Sequence, residues 1–171
     1  MEPQSNLSPL VAVDSNVPLD LADGNESVLD AVNTIRARLT NVRFVVTPSV
    51  FQELVHVAFK DSVAARRELA RGALRRLKEW QFDLLEIVPV GHGIVESIAR
   101  RLRAVGLLPE EEVHDSLILA EAALLGCAVL LTSDSHLRGL DYARLTWELN
   151  ACDVSVPVIA TPREIVSKFF R

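Results

Sequence analysis

Cysteine is nearly absent from this chain: only Cys127 and Cys152 occur in 171 residues, and neither has metal-ligand spacing. A disulfide framework and a thiolate metal centre find no support, so two free, buried thiols in a reducing compartment are expected. Long hydrophobic runs are also missing. Apolar residues make up 49% of the composition, yet no stretch approaches the roughly 18 residues of a membrane span. The segment Met1 to Pro9 is polar and proline-bearing, with no basic region leading into an apolar core. It reads as a flexible N-terminus (1–9) and not as a secretory signal, so a cytoplasmic protein with one domain over 10–171 is expected. Internal repeats and low-complexity linkers are absent as well.

Positive charge is in short supply. Eighteen Lys and Arg stand against 23 Asp and Glu, for a net charge of −5. A protein that coats nucleic acid by bulk electrostatics is disfavoured, because that mode needs many cationic contacts to phosphate. An acidic site that captures phosphate through metal ions is compatible with this balance, provided local basic residues hold the strand. Two other signatures are lacking. His92 lies between Gly91 and Gly93 without the Gly-Lys-Ser/Thr ending of a phosphate-cradling loop, and it reads as a loop residue. Ser133 lacks the Gly-x-Ser-x-Gly setting of a hydrolase nucleophile.

What is present is an alternation of short apolar runs with amphipathic stretches. Leu10 to Val13, Phe44 to Thr47, Leu84 to Val90, Ala128 to Thr132 and Val156 to Ala160 read as buried strands. Between them, Val28, Val32, Ile35 and Leu39 recur at helical spacing, as do Leu117, Ile118, Leu124 and Leu125 before Gly126, a suitable residue just past a helix end. Strands separated by helices predict an α/β fold, a central parallel sheet of about five strands with helices on both faces. The middle, from Val50 to about Trp80, reads as long and helical, with Val63, Ala70, Ala73, Leu74 and Leu77 on one face. Arg67, Arg71, Arg75 and Lys78 lie on another face, which is either a solvated surface or a rail for an RNA backbone. Arg100, Arg101 and Arg103 form a second basic group with the same two readings.

In open parallel sheets ligands bind beyond the carboxyl ends of the strands, and acids are concentrated there. The first strand runs into Asp14, followed by Ser15 and Asn16, and the fourth leads through Thr132 and Ser133 to Asp134. After the second strand, Thr47 is a candidate N-cap, Pro48 suits a first helical turn, and Glu53 follows within that helix. Asp115 stands at the start of the apolar helix Leu117 to Leu125, where the helix dipole favours a carboxylate. Each acid alone has a mundane account as a turn, cap or solvated residue. Together, four carboxylates from four separated segments fall where one pocket would collect them. Two like charges about 4 Å apart repel by roughly 4 kcal/mol at an effective dielectric of 20, and a cation relieves that cost. Oxygen ligands without a Cys or His cluster favour Mg2+ or Mn2+, and the chemistry implied is phosphodiester hydrolysis by activated water. His114 and His136, beside Asp115 and Asp134, are not needed as general bases in such a scheme. Glu110, Glu111 and Glu112 read first as a solvated acidic run, with one of them a potential supplement to the pocket.

Four segments carry a family resemblance: Val13-Asp14-Ser15-Asn16, Thr47-Pro48-Ser49-Val50-Phe51-Gln52-Glu53, His114-Asp115-Ser116-Leu117-Ile118-Leu119-Ala120 and Leu130-Leu131-Thr132-Ser133-Asp134. In order and spacing they resemble a PIN domain, a family of small metal-dependent nucleases that includes the VapC-type toxins. The segment Val158 to Pro162 is similar to that family's last strand and turn. The resemblance implies a three-layer PIN-like fold and Mg2+- or Mn2+-dependent endoribonuclease activity, with Asp14, Glu53, Asp115 and Asp134 as catalytic metal ligands. It implies supporting roles for Asn16 and Thr132, which would orient the acids or their waters. RNA is the implied substrate, and the implied partners are an antitoxin protein, if the chain is a toxin, and a second copy in a homodimer. Ser135 and His136 stand where many relatives carry a further acid, and the helical middle is longer than a minimal toxin needs. The main alternative is a non-catalytic RNA- or protein-binding module. A phosphotransfer receiver would need adjacent acids near the first strand, and a haloacid-dehalogenase-type phosphatase would need an acid where Asn16 stands.

Overall fold

The computed structural model describes residues 8–169. Most of the expected N-terminal segment, residues 1–7, lies outside the described residues. Among those described, five strands form one all-parallel sheet in the order β3-β2-β1-β4-β5. They are β1 (Leu10–Val13), β2 (Arg43–Val46), β3 (Phe82–Leu84), β4 (Val129–Leu131) and β5 (Val158–Ala160). Val11 to Val13, Phe44 to Val46, Leu130 and Leu131 are all at most 1% exposed. Successive strand residues point to opposite faces, so burial of every one requires cover on both sides, and the architecture is the expected three-layer α/β arrangement.

The helices are α1 (Asn16–Ala22), α2 (Glu26–Arg38), α3 (Pro48–Lys60), α4 (Ala64–Arg76), α5 (Pro89–Ala104), α6 (Val113–Leu124), α7 (Ser135–Arg138), α8 (Tyr142–Asn150) and α9 (Pro162–Phe169). Their limits follow local chemistry. Asn25 caps α2 by accepting a hydrogen bond from the Val28 N–H at 3.3 Å. Gly126, just after α6, has a φ of +69°, a conformation that costs glycine little. The chain there closes back with Cys127 N–H donating to the Ala122 carbonyl at 2.9 Å.

Several sequence expectations need correction. The stretch from Val50 to Trp80 is two helices and a turn, broken at Asp61 to Val63, where the Asp61 carboxylate accepts the Val63 N–H at 2.8 Å. This side chain competes with the helical ladder for the backbone donor. Val63 is consequently 50% exposed and absent from the apolar face, whereas Ala70, Ala73 and Leu77 are buried as expected. The third strand is Phe82–Leu84, not Leu84 to Val90. Its apolar alternation runs on into an irregular segment, and Pro89 then opens α5, with Val88 and Val90 67% and 72% exposed. His92 is therefore helical. Gly91 served as a misleading loop signal: a Cβ there would meet Ile87 Cγ2 at 2.4 Å, so the position needs glycine for close packing. Cys127 is buried, with burial pushing its thiol up to about 11, while Cys152 is only half-buried; both are free.

The chain order turns around at β1. It proceeds outward through β2 and β3, then returns to place β4 on the other side of β1. A crevice forms at such a switch point because the connections after the two central strands depart in opposite directions. Val13 pairs with Leu131 across it, which brings Asp14 and Thr132 side by side at the carboxyl edge.

Candidate metal site at the sheet edge

Asp14 is 2% exposed and held from both sides. Its Oδ2 accepts hydrogen bonds from Thr132 Oγ1 at 2.6 Å and Asn16 Nδ2 at 2.9 Å, and its Oδ1 accepts the Ser15 N–H at 2.6 Å. Thr132 in turn accepts the Asp134 N–H at 2.9 Å, and Asn16 Oδ1 accepts the Ser133 N–H at 3.1 Å. A threonine and an asparagine thus stitch the end of β1 to the turn after β4. Burial raises the Asp14 carboxyl above its ordinary range, the Thr132 and Ser15 hydrogen bonds oppose that rise, and the charges of Glu53 and Asp134 add to it.

Asp134 caps α7, its Oδ1 accepting the His136 and Leu137 N–H groups at 2.6 and 3.2 Å. Asp115 lies in the first turn of α6. Its carboxyl is pushed up to about 7, first by desolvation and then by the charges of Asp134, Asp14, Glu112 and Glu53. Glu53 is half-buried on α3, with His114 Nε2 3.6 Å from its Oε2. The four acids singled out from sequence therefore share one electrostatic field, although they come from four separate segments.

Two further side chains meet Asp115: His136, which the sequence reading did not require, and Glu112, one of the three acids read as a potential supplement to the pocket. His136 Nδ1 lies 3.1 Å from Glu112 Oε1, and Glu112, Asp115 and His136 offer ligand atoms all within 4.8 Å of one another. The signal was available in the sequence: Glu112 and Asp115 are three residues apart at a helix start, and His136 follows Asp134 by two. What hid it was the convergence of those segments, which only the fold supplies. The donor set of carboxylate oxygens with one imidazole suits a divalent cation, which would offset the carboxylate charges that add to desolvation in raising Asp115.

The basic residues divide. Arg67 Nη1 donates to the Asp61 carbonyl at 2.6 Å, and Arg71 Nε donates to the Ala58 carbonyl at 3.1 Å while its guanidinium sits 5.7 Å from the Phe59 ring centroid. Both fasten α4 to the end of α3. Arg75 and Lys78 are exposed, and Lys78 lies in the turn after α4. In the second basic group Arg101 pairs with Glu148 at 2.7 Å, and Arg103 Nη1 donates to Ser116 Oγ at 2.5 Å.

A family model described as PIN domain matches residues 11–141. No curated protein sequence matches the chain. Among solved structures, the chain is similar to one of VapBC2 from Rickettsia felis bound to a promoter DNA fragment, with 11% identity, a TM-score of 0.61, and coverage of 89% of this chain and 98% of that one. It is similar to VapBC-1 from nontypeable Haemophilus influenzae at 15% identity and a TM-score of 0.58, covering 90% and 98% of the two chains. A third likeness, to FitAcB from Neisseria gonorrhoeae, has 14% identity and a TM-score of 0.53, with coverage of 90% and 98%. At such identities the structures speak to the fold alone. The family match spans the segments bearing Asp14, Glu53, Asp115 and Asp134, and with it the chain belongs to the PIN-domain family.

Proposed function

We propose that this PIN-domain chain is a divalent-metal-dependent endoribonuclease whose metal ligands are drawn from Asp14, Glu53, Asp115 and Asp134. The observation that carries the reading is the convergence of acids from four segments at the sheet edge, where Asp115, raised first by desolvation, is raised further by the charges of Asp134, Asp14, Glu112 and Glu53. A fold without a cation would gain by losing these repelling groups, which favours a metal enzyme over a non-catalytic module. Mg2+ or Mn2+, when bound, supplies positive charge and the Lewis acidity that activates water against a phosphodiester. Asp14 is fixed by Thr132 and Asn16, so it would present a set geometry to the ion. Glu53 and Asp134 complete the acidic wall. Arg75 and Lys78 are the exposed cations best suited to an RNA backbone, since Arg67 and Arg71 are engaged within the fold.

The VapBC and FitAcB structures share this fold, and by that analogy we propose a toxin with an antitoxin protein as partner, acting in the cytoplasm; a homodimer is part of the same proposal. The direct test is cleavage of mixed structured RNAs with Mn2+, Mg2+ or EDTA, beside Asp14→Asn and Asp115→Asn. Metal-dependent cutting lost in both variants is expected. Cutting that persists in both, or that ignores EDTA, contradicts the assignment.

A further inference from the structure

Among the described residues only two carboxylates are buried to within a few per cent: Asp14 and Glu121, each 2% exposed. Glu121 lies on α6, six residues beyond Asp115 and away from the acidic pocket. Its partners all belong to one residue. Glu121 Oε1 accepts from Ser49 Oγ at 2.8 Å and from the Ser49 N–H at 3.2 Å, and its Oε2 lies 3.2 Å from the same N–H.

Ser49 is the second residue of α3. The first N–H groups of a helix have no partner within it, and Thr47, at the N-cap position, makes no side-chain capping bond. Glu121 therefore caps α3 from a different helix, placing negative charge where the helix dipole favours it. A second contact fixes the alignment of the two helices. Glu53, one turn after Ser49, approaches His114 at the start of α6. Along α3 the chain advances about 6 Å from Ser49 to Glu53, while α6 returns about 9 Å from Glu121 to Asp115. The helices run antiparallel, tied at Ser49 and Glu121, and carry the candidate ligands Glu53 and Asp115 one to two turns from that tie.

We infer that Glu121 is a positioning residue for the metal site: by anchoring Ser49 it sets the separation of Glu53 and Asp115. This rests on the metal-site reading above. A carboxylate buried this deeply is costly unless its hydrogen bonds are kept, so the Ser49 contact resists drift of α3 along α6. Groups hydrogen-bonded directly to a metal ligand contribute about 10–100-fold to metal affinity; Glu121 touches neither ligand and acts through the placement of α3, so its effect lies toward the lower end.

The test is Mn2+ binding, followed by calorimetry and by the signal of free Mn2+ in electron paramagnetic resonance, on the full chain. Glu121→Ala is expected to weaken Mn2+ binding by about 10-fold, with Glu121→Gln and Ser49→Ala losing less. In a double-mutant cycle, Glu121→Ala should add little to Glu53→Gln, because the geometry it protects no longer serves a ligand. Leu149→Ala, a core truncation on α8, controls for lost stability and should bind Mn2+ as the wild type does. If Glu121→Ala does not fold, Glu121→Gln and Ser49→Ala decide the matter. Wild-type affinity in those variants, or an equal loss in Leu149→Ala, overturns the positioning role and leaves the metal site standing. A wild-type protein that binds no Mn2+ overturns both.

Discussion

Thr132 Oγ1 donates to Asp14 Oδ2 at 2.6 Å while accepting the Asp134 N–H at 2.9 Å, so one hydroxyl joins the acid residues that follow strands β1 and β4. Thr132→Val keeps the shape and deletes both bonds. It removes one of the donors of a buried carboxylate that keeps Asn16 and Ser15 and leaves the part-buried Asp134 N–H without its acceptor, which together cost about 1–3 kcal/mol. Urea unfolding should register a loss in that range, and Mn2+ affinity should fall in parallel. Thr132→Ser, which retains the hydroxyl, should recover most of both.

The charge of the site also sets a pH dependence. Asp115 titrates at about 7 in the folded chain against an ordinary 3.8, so the native state holds this proton more tightly than the unfolded state. Stability from that difference is complete below about pH 4 and is lost as pH rises through 7. Metal-free protein should accordingly be less stable at pH 8 than at pH 5, by about 1–2 kcal/mol once solvent screening at this partly exposed group is discounted. Asp115→Asn should flatten the profile and raise stability at pH 8. A wild-type profile that climbs between pH 5 and pH 8 would contradict this.

His136 gives the site a nitrogen donor beside Glu112 and Asp115. Imidazole suits Zn2+ and Ni2+ better than Mg2+ or Mn2+. His136→Ala should therefore lower Zn2+ affinity more than Mg2+ affinity, and calorimetry with each ion reads the ratio. Equal effects on the two ions would show that the imidazole stays outside the coordination sphere.

The two halves of the basic row should behave differently. Arg71→Ala removes a bond to the Ala58 carbonyl and a stacked contact on Phe59, so it should destabilise the fold by about 1 kcal/mol. Arg75→Ala and Lys78→Ala should leave stability unchanged, weaken RNA binding and each lower the salt dependence of that binding by roughly one counterion. Filter binding at several salt concentrations separates these outcomes.

The central strands β1, β2 and β4, the positions of Asp14 and Asp134 just beyond strand ends and the helix starting near Asp115 were legible in the sequence because each rests on local pattern: apolar runs, an acid after a strand, a helix-start residue. The break at Asp61 was not, since Ala70 and Ala73 continue a helical period straight past it. His92 was misread because Gly91 looks the same whether it frees a loop or admits Ile87. The contacts Glu112 to His136 and Ser49 to Glu121 join residues 24 and 72 positions apart. No local rule reaches such a distance, and only the sheet order brings them together.

The most direct measurement is thermal and urea stability of the wild type as Mn2+ is titrated in, beside Asp14→Asn and Asp115→Asn. At about 100 times the dissociation constant, an ion binding only the native state should add about 2.7 kcal/mol. That gain is expected in the wild type and should be lost in both variants, with Asp115→Asn starting from a more stable metal-free state. A wild-type stability indifferent to Mn2+ and Mg2+, or one raised equally in all three proteins, would contradict a site built from these carboxylates.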